Sequence, residues 1–409
     1  MTPPNDDGFV AAGNLNRLLG WTTLLIGLTL SAALDPWLLD ATTAAGSDGG
    51  IPLAVRHAHG VVIAMAFLQL AMAHLLATPA FDRRARTTAA VLTAIGAGSY
   101  IAGYALGLWW PACHWLVLAG SLVNFSGFAF LLWVGPSGLY AKQIRMILPV
   151  ACFGMLLDFI AGLRPVLPEA WVLEQLGSED GVRLRMLRLA RVAAIALSVL
   201  TLLYYGVARR AGPYHAKARL GGVSLAIGAV GMPLILALAC FTTMHLKYLL
   251  ALPATAVVTG VYSGLILAMK HGGTLERWGW FLIAASTSAG MFIGLYAFEG
   301  PFPTPDFMGD YNALPRRLTR LAHSYCIVLG MMSIFLSREG AGKSEMKWPP
   351  KIAVFAFIVG CALTLAMLLL QTVASMPPLA LSLGPLLVLI GAITCLASCT
   401  SPANVTSRT

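Results

Sequence analysis

Long apolar runs recur from about residue 18 to residue 399 of this 409-residue chain. Each is roughly 18 residues or more, enough to cross a bilayer as a helix. Lipid offers no partner to a backbone N–H or C=O, so runs of this kind must close their hydrogen bonds internally as helices. The fold class that follows is all-α and polytopic. Composition agrees: 58% of residues are hydrophobic, 11% are charged, and mean hydropathy is +0.78, where a soluble domain carries about 25% charge. The formal charge of +10 does not point to nucleic acid, because the basic residues sit in short loops between apolar runs.

The pattern predicts twelve spans, at about 18–38, 52–77, 87–108, 112–135, 143–163, 188–207, 221–243, 247–269, 279–298, 320–337, 351–374 and 379–399. Loops after even-numbered spans are basic, as in Arg83-Arg84-Ala85-Arg86 and Arg209-Arg210, whereas Asp35, Asp40, Glu169, Glu174, Asp306 and Asp310 follow odd-numbered spans. Short basic loops stay cytoplasmic, so both termini are expected in the cytoplasm, in a multi-pass bacterial inner-membrane protein. Residues 164–187 are expected to lie outside, with an interfacial helix. No separate soluble domain is expected, so residues 1–409 read as one membrane domain. Residues 1–16 are polar and lack a basic region, so no cleavable signal is expected. The seven cysteines lie mostly in or beside apolar runs and read as small buried hydrophobes.

A long-period repeat underlies the twelve spans. Arg56, Arg188 and Arg320 are 132 residues apart, and Ala58, Ala190, Ala322 and Ile63, Ile195, Ile327 keep that spacing. Three pseudo-repeats of four spans follow, roughly 18–135, 143–269 and 279–399. Within the pattern one position varies, being occupied by His59, Arg191 and His323.

Five of the eight histidines, His57, His59, His114, His245 and His323, fall at the expected outer ends of spans. An ionisable side chain in a span is a functional-site hypothesis, and neutral imidazole is the usual protein ligand of haem iron. His59 and His323 are the candidate axial ligands. His57 supports them from the helix mouth, and Arg56 and Arg320, with Arg316 and Arg317, are cations placed to meet haem propionates. Cys113-His114 and Met244-His245 set sulfur beside imidazole, a pairing that suits copper.

Twelve helices in three sets of four, with His59-Gly60 on the second helix and Ala322-His323 on the tenth, resemble the catalytic subunit of the haem–copper oxidase superfamily. They also resemble the NnrS-type haem- and copper-containing membrane proteins, although the longer signature of that group is absent. The resemblance implies a low-spin haem b at His59 and His323, and copper near His245. It implies as well a periplasmic or membrane electron donor, and electron transfer or nitric oxide and diatomic gas handling near the periplasmic face. The departures are informative. Arg191 stands where the oxidases carry a copper histidine, Tyr325 replaces the second histidine of the tenth helix, and His245 is followed by Leu246. A complete oxygen-reducing haem–copper centre is therefore not expected.

Asp158, inside the fifth span, needs a partner, and Arg164 or Arg191 is placed to supply it. Read as a proton-relay acid it would be functional; as half of an ion pair it is structural. The competing reading of the whole chain is a cofactor-free transporter or scaffold subunit, since internal repeats are common in transporters. Against it, Pro149, Pro233 and Pro253 interrupt spans without matching the repeat. No Walker loop, dinucleotide fingerprint, zinc helix or Cys-x-x-Cys-His haem attachment occurs, which excludes covalent c-type haem.

Overall fold

A computed structural model describes residues 7–44, 50–107, 109–137, 141–163, 181–212, 216–297, 302–311, 313–340, 349–372 and 378–400. Among them are twelve long α-helices and no strand. They are α1 (Asp7–Ala44), α2 (Gly50–Leu76), α3 (Arg83–Gly107), α4 (His114–Val134), α5 (Ala141–Gly162) and α6 (Val182–Ala211). The remainder are α7 (Ala216–Phe241), α8 (Ala251–His271), α9 (Thr274–Tyr296), α10 (Leu314–Gly340), α11 (Pro349–Leu370) and α12 (Pro378–Thr400). Among the described residues, eleven helical stretches are long and apolar enough to cross a membrane, as in a multi-pass membrane protein. The apolar runs read from the sequence place the ends of α2 to α12 within about six residues, whereas α1 begins at Asp7, well before the expected residue 18. Residues 164–180, expected in the outer segment, lie outside the described set, and 182–187 form the first turns of α6.

The helices fall into two compact units. One comprises Met1–Leu24, Gly50–Gly264 and Gly290–Pro303; the other comprises Leu25–Gly49, Leu265–Ala289 and Thr304–Thr409. In the first, α2 to α6 pack around Met65, Leu68, Met72, Phe128, Leu148 and Met155, all buried. A neutral polar network ties three of its helices together. Asn16 Nδ2 donates to Gln69 Oε1 and, at 2.9 Å, to Thr93 Oγ1, while Gln69 Nε2 donates to the Thr93 carbonyl at 3.0 Å. Asn124, also fully buried, donates to the Gly120 carbonyl of its own helix. Buried amides of this type act as glue between helices that gain no hydrophobic drive from lipid.

Antiparallel hairpins are closed by glycine contacts, because only a residue without a Cβ lets two backbones come so near. A Cβ on Gly96 of α3 would lie 2.6 Å from the Asn124 backbone N of α4, and one on Gly120 would lie 2.6 Å from the Tyr100 N. In the second unit, Gly360 of α11 meets the Val388 N of α12 at 2.6 Å, and Gly384 meets the Thr364 N at 2.5 Å. Every residue in the second set is 264 positions after its counterpart in the first, twice the 132-residue period. Gly127 against Thr93 and Gly391 against Phe357 extend the correspondence. In the hairpin of α7 and α8, Gly228 faces Val257 and Gly260 faces Leu225. Here the α7 residues keep the period and the α8 residues are displaced by one.

Candidate functional site

The position that varies in the repeat lies a few turns into α2, α6 and α10. In α6 it is Arg191, and its partner is Asp158 of α5. Arg191 Nη1 donates to Asp158 Oδ1 at 2.9 Å, and Ser121 of α4 donates to Oδ2 at 2.7 Å. Of the two partners placed to pair with Asp158, Arg191 is thus the one engaged, and Arg164 lies outside the described residues. Tyr100 of α3 lies near Asp158, and Tyr104, one turn on, near Arg191. The two tyrosine rings are 5.2 Å apart, and Tyr104 meets the His114 ring edge-on at 6.4 Å. Four helices thus bring one carboxylate, one guanidinium, three hydroxyls and an imidazole to the end of the bundle that carries the α3–α4 turn. Sequence reasoning identified the pair but not Ser121, Tyr100 or Tyr104, whose only signal was the i, i+4 spacing of two tyrosines in an apolar helix.

In α10 the same position is His323, and its partner is Ser286 of α9. His323 Nδ1 lies 3.0 Å from the Ser286 carbonyl and 2.8 Å from Ser286 Oγ, while Oγ donates to the His323 carbonyl at 2.8 Å. A carbonyl oxygen only accepts, so Nδ1 carries the proton, and in the neutral ring Nε2 is left with its lone pair. Histidines that ligate metals characteristically donate their other ring N–H to a carbonyl in this way. The donor set at His323 therefore fits an axial haem ligand. Tyr325, which stands where the oxidases carry a second histidine, donates to Ser31 Oγ at 3.2 Å.

His59 is buried in α2 of the first unit, and a Cβ on the adjacent Gly60 would meet nothing within 4 Å. His323 belongs to the second unit. Arg56 and His57 lie in α2, but their side chains are outside the described set. Arg320 lies 3.8 Å above the Tyr311 ring, and Arg316 is 5.6 Å from it. These cations are engaged by an aromatic face. His114 Nε2 is occupied by the Gly162 carbonyl at 3.1 Å. His245 is exposed in the short turn Met244–Leu250, near Lys247. His74 is bonded within its own helix, to the Leu70 carbonyl at 2.9 Å. Among the described residues no group of three or more His, Cys, Asp or Glu is gathered, and none of the seven cysteines is joined in a disulfide.

The sequence matches no family model and no curated protein, and the fold matches no solved structure.

Proposed function

We propose that this chain is a haem-binding integral membrane protein, with twelve spans in three pseudo-repeats, both termini cytoplasmic, and His323 as an axial ligand. The observation that carries the reading is the His323–Ser286 pair. The Ser286 carbonyl fixes the tautomer and aims Nε2 away from α9, and the serine hydroxyl holds the ring from turning. His59, buried at the corresponding position of α2 in the first unit, is the other candidate ligand named from the sequence. The repeated glycine contacts support the threefold arrangement. Bound haem would supply one-electron transfer or diatomic gas ligation, including nitric oxide. The chain itself provides the imidazoles, their orientation and an apolar surround of low dielectric.

Absorption spectra of the purified protein, expressed with adequate haem, are expected to show a Soret band that shifts on dithionite reduction. His323→Ala and His59→Ala should each abolish or alter it. Ser286→Ala should retain a band and weaken haem affinity about 10–100-fold, as loss of an orienting partner does. Absence of a Soret band overturns the reading, and unchanged spectra in both histidine variants overturn the ligand assignment. A second reading, a cofactor-free transporter, is favoured by the Asp158–Arg191 pair, since buried ion pairs in spans often line transport pathways. A protein purified without pigment that moves a solute across vesicles would select it.

A further inference from the structure

The Asp158 cluster has a donor–acceptor balance that says what kind of group it can still take. The carboxylate already receives Arg191 on one oxygen and Ser121 on the other. A guanidinium presents five N–H donors in a planar fork. Its contacts on this cluster are the one bond from Nη1 to Asp158 and the approach of Tyr104. Donor capacity therefore exceeds acceptor capacity. The Asp158 side chain is 5% accessible, whereas 23% of the Arg191 side chain remains accessible. Arg191 is the tenth residue of α6, about 13 Å along the helix from its start. A second observation points the same way. Arg183, Arg185, Arg188 and Arg191 crowd nine residues at the N-terminal end of α6, all partly buried. The helix dipole is itself positive over the first turn there.

We propose that the accessible face of Arg191 is an oxyanion subsite, completed by the Tyr104 hydroxyl, that takes a carboxylate or phosphate oxygen. That chemistry has two sources, a small solute such as a dicarboxylate or inorganic phosphate, and the phosphate of an anionic lipid. The Asp158 carboxylate sets the guanidinium in place and leaves its remaining edge for the incoming oxygen. This inference does not depend on haem.

The test is thermal unfolding of the full chain in lipid nanodiscs at matched ionic strength. In phosphatidylcholine discs, sodium succinate and sodium phosphate are titrated against sodium chloride. In parallel, discs containing phosphatidylglycerol are measured with no added anion. A saturable rise of about 2 °C or more in the melting temperature is expected in at least one arm. A rise with the soluble anions identifies a solute, and a rise confined to phosphatidylglycerol identifies a lipid phosphate. The double variant Arg191→Leu/Asp158→Leu keeps the site neutral and packed, so it is expected to fold and to lose the rise. Arg191→Lys keeps the charge without the fork and is expected to reduce it. No rise in any arm, or a full rise in the folded double variant, overturns the proposal.

Discussion

Breaking the Asp158–Arg191 pair is the sharpest test of whether the interior of the first unit is built as described. Two unit charges about 4 Å apart attract by about 4 kcal/mol at an effective dielectric near 20. The Ser121 hydroxyl adds a hydrogen bond to a charged group, worth about 1.5–3 kcal/mol. Neutral hydrogen bonds between membrane helices average only about 0.6 kcal/mol, so a large effect here is specific to charge. Asp158→Ala strands a guanidinium, and Arg191→Ala strands a carboxylate. Either loss is expected to cost about 3–5 kcal/mol. The two are not equal. The Arg191 side chain is 23% accessible and long enough to bend its head toward polar surroundings, whereas Asp158 is 5% accessible and short. Arg191→Ala should therefore be the more damaging. Replacing both residues by leucine removes charge and partner together and should fall within about 1 kcal/mol of the parent. The assay is reversible unfolding in mixed dodecyl maltoside and SDS micelles, followed by circular dichroism, with all four proteins forming a double-mutant cycle. A coupling energy below about 1 kcal/mol, or a double variant as unstable as either single one, would refute the reasoning.

The glycine contacts make a paired prediction. Gly384→Val forces a Cβ to within 2.5 Å of the Thr364 backbone and should cost about 1–3 kcal/mol or prevent folding. Gly98→Ala, at a helical glycine with nothing within 4 Å, should stabilise by up to about 1 kcal/mol. Both are read by the same unfolding assay, and a destabilising Gly98→Ala would contradict the packing. Orientation is checked by a membrane-impermeant maleimide on intact cells. Cys113, in the α3–α4 turn and partly exposed, should be modified before lysis if that turn faces outward. Modification only after lysis would reverse the proposed topology.

Much of the fold was legible because a bilayer leaves few alternatives: a long apolar run must be a helix, and α2 to α12 fall on the runs, while α1 extends well beyond its own. What escaped was the polar content of those runs. Asn16, Gln69, Thr93 and Asn124 occur singly in four different helices, up to 108 residues apart, and only packing reveals that three of them form one network. Ser286 stands in Ala284-Ala285-Ser286-Thr287-Ser288, where nothing local distinguishes it from its neighbours, which bond back to their own helix. The period of 132 was visible at helix mouths. Its firmest marks are the glycines at 96, 228 and 360, whose shared role is apparent only from what a Cβ there would strike.

The variable position gains meaning from these contacts. Arg191 and His323 share a register, and each turns to the helix that precedes its own, Arg191 to Asp158 of α5 and His323 to Ser286 of α9. The partner decides the chemistry. A carboxylate opposite the position calls for a permanent cation and consumes one edge of it, leaving a neutral pair with spare donors. A backbone carbonyl and a hydroxyl opposite it call for a ring that donates through one nitrogen and keeps the other as a lone pair. One backbone site thus carries a cation paired with a carboxylate in one helix and a ring with an unprotonated nitrogen in the other. Exchanging the two would not be a matter of one residue: histidine at 191 would face Asp158 and become a protonated partner for it, with no lone pair to offer. The identity of the preceding helix, more than the histidine itself, marks where a ligand can be held.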